Sequence, residues 1–207
     1  MSLPQILLTA LFALFAGEAL ADPASDVVEH LHEKLLVSMQ SQGSSATERA
    51  ELLRDTVEAS FDFATISRVV LGRTWGKLTE PERKDFIQVF SELSVATYAA
   101  RFKAFSGESF VTVGSEAGRK PGEQMIRTEL RRSDANKPPV SLQYLVKSEA
   151  DGKPRIVNVV ADGVSDLSLK RTEYAGVLEK EGLSGLRERL LAKIADIYGA
   201  AWQPTTR

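Results

Sequence analysis

The sequence predicts an α+β domain in which a twisted antiparallel sheet of about four strands packs against a helical layer. Three observations predict it. Apolar residues recur at helical spacing through roughly the first hundred residues, and after Gly107 the period changes from 3.6 to 2. Short Pro- and Gly-rich turns join the alternating stretches, and only antiparallel neighbours can use them, because a parallel crossover needs about a dozen residues. The chain then returns to helix. Its 207 residues, 43% hydrophobic and 26% charged, fit one globular domain.

From Asp26 to about Ser41, Val27, Leu31, Leu35 and Met39 fall at four-residue steps and predict an amphipathic helix. A polar turn at Gln42–Ser45 leads to a second helix over Ala46–Ala59. Phe61–Leu71 is the densest apolar stretch, punctuated by Gly72 and Gly76 around Trp75. Thr79-Glu80-Pro81-Glu82 reads as a capping box with proline in the first turn, starting a helix that runs to about Phe105. The predicted strands are Phe110–Val113, Met125–Arg131, Val140–Lys147 and Ile156–Val160, the last nearly continuously apolar and read as central. Thr172–Leu178 and Leu186–Tyr198 predict the closing helices. The expected organisation is therefore a leader at 1–21 and one domain at 22–207, helical over 25–105, sheet over 109–170 and helical again over 172–199.

Ile6–Phe15 is an apolar run of about ten residues, too short to span a bilayer and suited to a signal-peptide core. Ala19-Leu20-Ala21 supplies a cleavage signature, so export with cleavage after Ala21 is expected, although Met1–Gln5 lacks Lys and Arg. No second apolar run approaches membrane length. A chain without cysteine suits the periplasm, where absent thiols cannot misoxidise.

Much chemistry is excluded at once. Without Cys there is no thiolate nucleophile, Cys-ligated zinc or iron–sulfur cluster. A net charge of −2 gives no reason to expect nucleic acid. The sequence has no phosphate-binding glycine loop, dinucleotide fingerprint or nucleophile elbow. His30 and His32 lie two apart on a helix and point away from each other, so they cannot clamp one metal. Asp62, between Phe61 and Phe63, reads as a structural acid paired with Arg68 or Arg73. Neither a catalytic residue, a metal site nor a cofactor is expected. Many of the nine Phe, two Trp and four Tyr fall between Phe61 and Phe110. They either fill a solid core, as in an assembly or interaction domain, or line a cavity, and periodicity does not separate the two. A hydrolase of lipid-like substrates rests on the cavity alone.

The residues Phe61-Asp62-Phe63-x-x-Ile66-Ser67-Arg68-x-x-Leu71-Gly72-x-x-Trp75 are followed by Leu78-Thr79-x-x-Glu82-Arg83-x-x-Phe86, Phe90 and Tyr98-Ala99. Downstream come Val157-x-Val159-x-x-Asp162-Gly163-Val164-Ser165, Arg171-x-x-Tyr174 and Leu186–Leu191. Joined, this pattern over about 60–200 resembles the MlaC-type periplasmic phospholipid-binding proteins, a family that includes hopanoid-associated members. The glycine-containing Leu183-Ser184-Gly185-Leu186 departs from it. The resemblance implies an apolar slot between sheet and helices that takes acyl chains, with the headgroup in solvent. On that reading the expected lining is Phe61, Phe63, Ile66, Val69, Trp75, Phe86, Phe90 and Tyr98, facing Ile126, Leu130, Val140, Leu142, Tyr144, Val157 and Val159. The implied ligand is phospholipid or a hopanoid-like lipid. The implied partners are an inner-membrane ABC transporter with an MCE-domain subunit and an outer-membrane lipoprotein complex.

Overall fold

The computed structural model describes residues 22–134, 136–148, 151–199 and 202–203. The expected leader therefore lies outside the described residues. Helix α1 (Pro23–Gln40) starts earlier than its apolar period, because Asp22 caps it by accepting from the Ala24 N–H and Pro23 occupies the first turn. Helix α2 (Ala46–Ser60) opens with a Ser45/Glu48 capping box that periodicity alone did not reveal. Helix α3 (Phe63–Leu71) is capped by Asp62, whose carboxylate accepts from the Thr65 N–H at 2.8 Å. Asp62 is thus structural, but as a cap rather than as the partner of Arg68 or Arg73. A 3-10 turn at Gly72–Lys77 leads to α4 (Glu80–Arg101), which begins with the expected Thr79/Glu82 box.

α4 ends at Arg101, short of Phe105. The aromatic period outlasts the helical hydrogen bonds, since Phe102 still stacks on Tyr98 at 5.8 Å. Two contacts pin this end: Ser38 donates its hydroxyl to the Phe102 carbonyl, and the buried Arg49 donates to that of Ala99.

The sheet is a meander of β1 (Ser109–Ala117), β2 (Glu123–Arg131), β3 (Val140–Ser148), β4 (Pro154–Ala161) and the two-residue β5 (Val164–Ser165). Every neighbouring pair is antiparallel. β4 is not the central strand its apolar run suggested. Leu145 pairs with Asn158 and Val146 with Ile156, so Val157 is the extra residue of a bulge, and both Ile156 and Val157 are buried. The edge of β4 that β5 leaves uncovered is met by the junction between α2 and α3. There Phe61 bridges Ile156 in parallel, and the Asp62 N–H donates to the Ile156 carbonyl at 3.0 Å. This covers backbone groups that would otherwise be an open template for another strand.

All five helices serve one core. Leu31 and Leu35 of α1, Leu53 and Val57 of α2, and Phe86 and Phe90 of α4 join Ile126, Tyr144, Val146 and Ile156 of the sheet. Thr128, also buried, donates its hydroxyl to the Leu142 carbonyl, so its polar group costs little.

Helix α5 (Asp166–Tyr198) contains both predicted closing helices and begins before Thr172. It is not straight. Lys193 reaches Glu173 at 2.5 Å, though a straight helix would hold them about 30 Å apart. The two arms fold back on each other at Gly182, whose φ of 69° and ψ of −169° lie in a region open essentially to glycine alone. Glu181 and Arg189 pair across the bend.

Candidate ligand cavity

Where β3 and β4 meet α3, α4 and the start of α5, the sheet and helices do not close on each other. They leave a cavity of about 280 Å³. Its inner walls are apolar: Phe61, Phe63 and Ile66 stand at one end, Phe90 and Leu93 on α4, and Leu142, Tyr144 and Val157 on the sheet, all buried. Aromatic rings form a continuous lining, with Phe61 5.7 Å from both Phe63 and Tyr98, and Phe63 6.1 Å from Phe90. The mouth is marked by its exposed residues, Arg101 at the end of α4, Ala161 and Val164 on the β4–β5 hairpin, and Leu169 in the first turns of α5.

Several polar groups of the lining are engaged within the fold or neutral. Ser94 and Thr97 donate to the carbonyls of Phe90 and Leu93 within α4. Lys170 pairs with Asp166 at 2.6 Å. Asn158 accepts from the Ser165 hydroxyl and the Leu167 N–H, which fixes the hairpin to α5. Burial, and then the charge of Asp166, pushes the Tyr98 hydroxyl well above its ordinary pKa, and burial does the same to Tyr144, so both stay neutral. Among the described residues no group of His, Asp and Glu could hold a metal ion. What the arrangement can do is surround an apolar chain. A larger hollow of about 680 Å³ between α2, α4 and α5 has a mixed lining, with Arg54, Asp85, Glu92 and Arg187 beside Val89, Leu191, Ile194 and Trp202.

Of the residues expected from the sequence, the structure brings Phe61, Phe63, Ile66, Phe90, Tyr98, Leu142, Tyr144, Val157 and Val159 to this cavity. Six others lie elsewhere. Val69 is half-buried on α3, and Trp75 sits on the 3-10 turn with the Arg83 guanidinium 5.3 Å from its ring. Phe86 is one turn before Phe90, stacked on it and wholly within the packed core. Ile126 and Leu130 on β2, and Val140 opposite Leu130 on β3, do not line the cavity: Ile126 is buried in the core and the other two are half-buried against it. Sequence reasoning missed Leu93, Ser94, Thr97, Arg101 and Phe102, and the segment Ala161–Lys170. Ser94, Thr97 and Arg101 continue the stripe of Phe90 at helical spacing, which was the available signal; their polarity disguised it.

A helix-roofed antiparallel sheet enclosing an apolar, aromatic-walled cavity defines an α+β protein of the kind that holds an apolar ligand. This chain belongs to the MlaC family, a family of non-enzymatic lipid-binding proteins: the family model described as MlaC protein matches residues 26–192. The fold is similar to that of a phospholipid-binding protein from Ralstonia solanacearum, solved at 1.53 Å in complex with a phospholipid. The TM-score is 0.72 over 85% of this chain and 99% of that one, at 19% identity, so the likeness is one of fold. No curated protein matches the sequence.

Proposed function

We propose that this protein is a periplasmic lipid carrier that takes the acyl portion of a phospholipid, or of a related lipid such as a hopanoid, into the cavity between β3–β4 and α4. The observation that carries this reading is the aromatic-walled cavity between β3–β4 and α4. Family membership and a fold shared with a phospholipid complex support it. The proposed contacts are the nine cavity residues anticipated from sequence, together with Leu93, Phe102 and Leu167. Its partners on this reading are an inner-membrane ABC transporter with an MCE-domain subunit and an outer-membrane lipoprotein complex.

The physical need is large. Burying a methylene is worth about 0.8 kcal/mol, so two chains of about 16 carbons cost on the order of 20 kcal/mol or more to expose to water. Exchange from a bilayer into an apolar cavity is nearly neutral by comparison, and direction has to come from the partners. The cavity of about 280 Å³ lies close to the lower end of the roughly 300–1,000 Å³ that small-molecule sites span.

The test is native mass spectrometry and lipid extraction of the purified protein. One lipid per chain is expected. Protein that carries no lipid, and acquires none from phospholipid vesicles, overturns the reading in favour of a solid-core interaction domain.

A further inference from the structure

We propose that Phe63 closes the inner end of the cavity and sets the length of acyl chain the protein accepts. This inference rests on the carrier reading above and adds the residue that determines chain-length specificity.

Three observations carry it. The first is a shared wall. Phe61 and Phe63 line the cavity and also line an open hollow of about 620 Å³ between α2, α4 and the start of β4. Along α4 the hollow is lined by Ile87, Gln88 and Ser91, and the cavity by residues from Phe90 to Phe102. The Phe63 ring lies 6.1 Å from that of Phe90, so it stands where one space gives way to the other. The chemistry changes at the same place. The hollow holds Glu58, Asp62, Asp151 and Arg155, the last two paired at 2.8 Å, so the hydrocarbon-like lining ends at the two rings.

The second is rigidity. Phe63 is the first residue of α3, and Asp62 before it is tied twice. Its N–H donates to the Ile156 carbonyl of β4 at 3.0 Å, and its carboxylate accepts from the Thr65 N–H at 2.8 Å. The ring itself is buried and stacks on Phe61 at 5.7 Å. Held by backbone and by neighbours, it is a fixed stop.

The third is length. From Phe90 to Arg101, which is exposed at the mouth, α4 rises about 16 Å. One leaflet's share of a bilayer's hydrocarbon core is about 15 Å, the reach of an ordinary membrane acyl chain. A chain of that length entering beside Arg101 ends at Phe63, and any further methylenes stay in water. Leaving even two of them exposed weakens binding by roughly tenfold.

The experiment offers the full chain vesicles containing equal amounts of dipalmitoleoyl- and dierucoylphosphatidylcholine, which share a headgroup and differ in chain length. Bound lipid is counted by native mass spectrometry. The wild type should favour the shorter lipid by about tenfold or more. Phe63→Leu, which lowers the partition, should cut that preference by about threefold, and Phe63→Trp, which thickens it, should raise it by a similar factor. Phe86→Leu, the same deletion in the packed core beside Phe90, should lower the thermal midpoint and leave the preference unchanged. Equal uptake of both lipids by the wild type, or a preference that the Phe63 variants leave as it was, overturns the assignment. A Phe86→Leu protein whose preference shifts as far as that of Phe63→Leu also overturns it, because loosened packing then explains the change. Should Phe63→Leu not fold, Phe63→Trp alone decides. In each of these outcomes lipid is still bound and the carrier reading stands; uptake of neither lipid by the wild type removes both.

Discussion

His32 and Tyr144 meet behind the cavity wall, the His32 Nε2 lying 2.9 Å from the Tyr144 hydroxyl. The imidazole also stacks on Phe110 at 4.0 Å, so a helix residue, an edge strand and a cavity residue are locked together. The contact orients Tyr144, whose ring forms part of the sheet-side wall.

Burial lowers the His32 pKa to about 3, against an ordinary value near 6.5. The unfolded chain therefore binds this proton more readily than the folded one. Stability from His32 should be complete above about pH 6.5 and fall as the pH drops towards 3, by a few kcal/mol at most. Urea denaturation at pH 7 and pH 4 checks this. In His32→Leu the acid loss should shrink, while Tyr144, left without its partner, costs about 1–3 kcal/mol at neutral pH.

Leu142→Trp separates a cavity from a packed core. Overpacking a solid core costs about 1–3 kcal/mol. At the cavity wall the indole enters ligand space, so the denaturation midpoint should barely change while bound lipid falls sharply. Leu142 is the cleaner site, since the same change at Tyr144 also removes the His32 hydrogen bond. A destabilised variant with normal lipid content counts against the carrier.

Gly182→Ala should cost about 1–3 kcal/mol, because the added Cβ is incompatible with the backbone at the bend of α5. No neighbouring atom crowds that Cβ, so the loss comes from conformation alone. Gly76→Ala, at a glycine with equally open surroundings and no positive φ, is the control and should change the thermal midpoint little.

Glu92→Gln should destabilise the protein by about 1–3 kcal/mol in urea titrations. The Glu92 carboxylate is half-buried, takes both terminal nitrogens of Arg54 and accepts from the Tyr198 hydroxyl at 2.9 Å, tying α2, α4 and the second arm of α5. Hydrogen bonding to that carboxylate drives the Arg54 pKa further above its already high value, so the loss should not depend on pH across the neutral range.

The start of α4 was legible because a capping box is written in four adjacent residues, and the sheet because its turns are equally local. The end of α4 was not, since Phe102 keeps the aromatic period while leaving the helix. The bulge at Val157 defeated strand reading for a different reason: an extra buried residue makes a flanking strand look continuously apolar, as a central one does. In the cavity, aromatic residues were found where α3 and α4 face β3 and β4. Phe86 and Ile126 have the same character and periodicity, yet Phe86 packs against Phe90 and Ile126 pairs with Tyr144 inside the core, which only the tertiary packing decides. Arg101 and Lys170 line one cavity from elements far apart in the chain, which no local pattern encodes.

The bridge between Phe61 and Ile156 also fixes when the cavity comes into being. It joins positions separated by roughly a hundred residues, and such long-range closures are slow steps in folding. As the chain emerges N-terminus first, α1 to α4 can form on local contacts before the opposite wall exists. Until β3, β4 and the first turns of α5 arrive, the rings of Phe61, Phe63, Phe90 and Tyr98 face solvent as one sticky aromatic strip. The same residues that suit the finished cavity to hydrocarbon thus make the half-formed chain a substrate for chaperones and a hazard for aggregation.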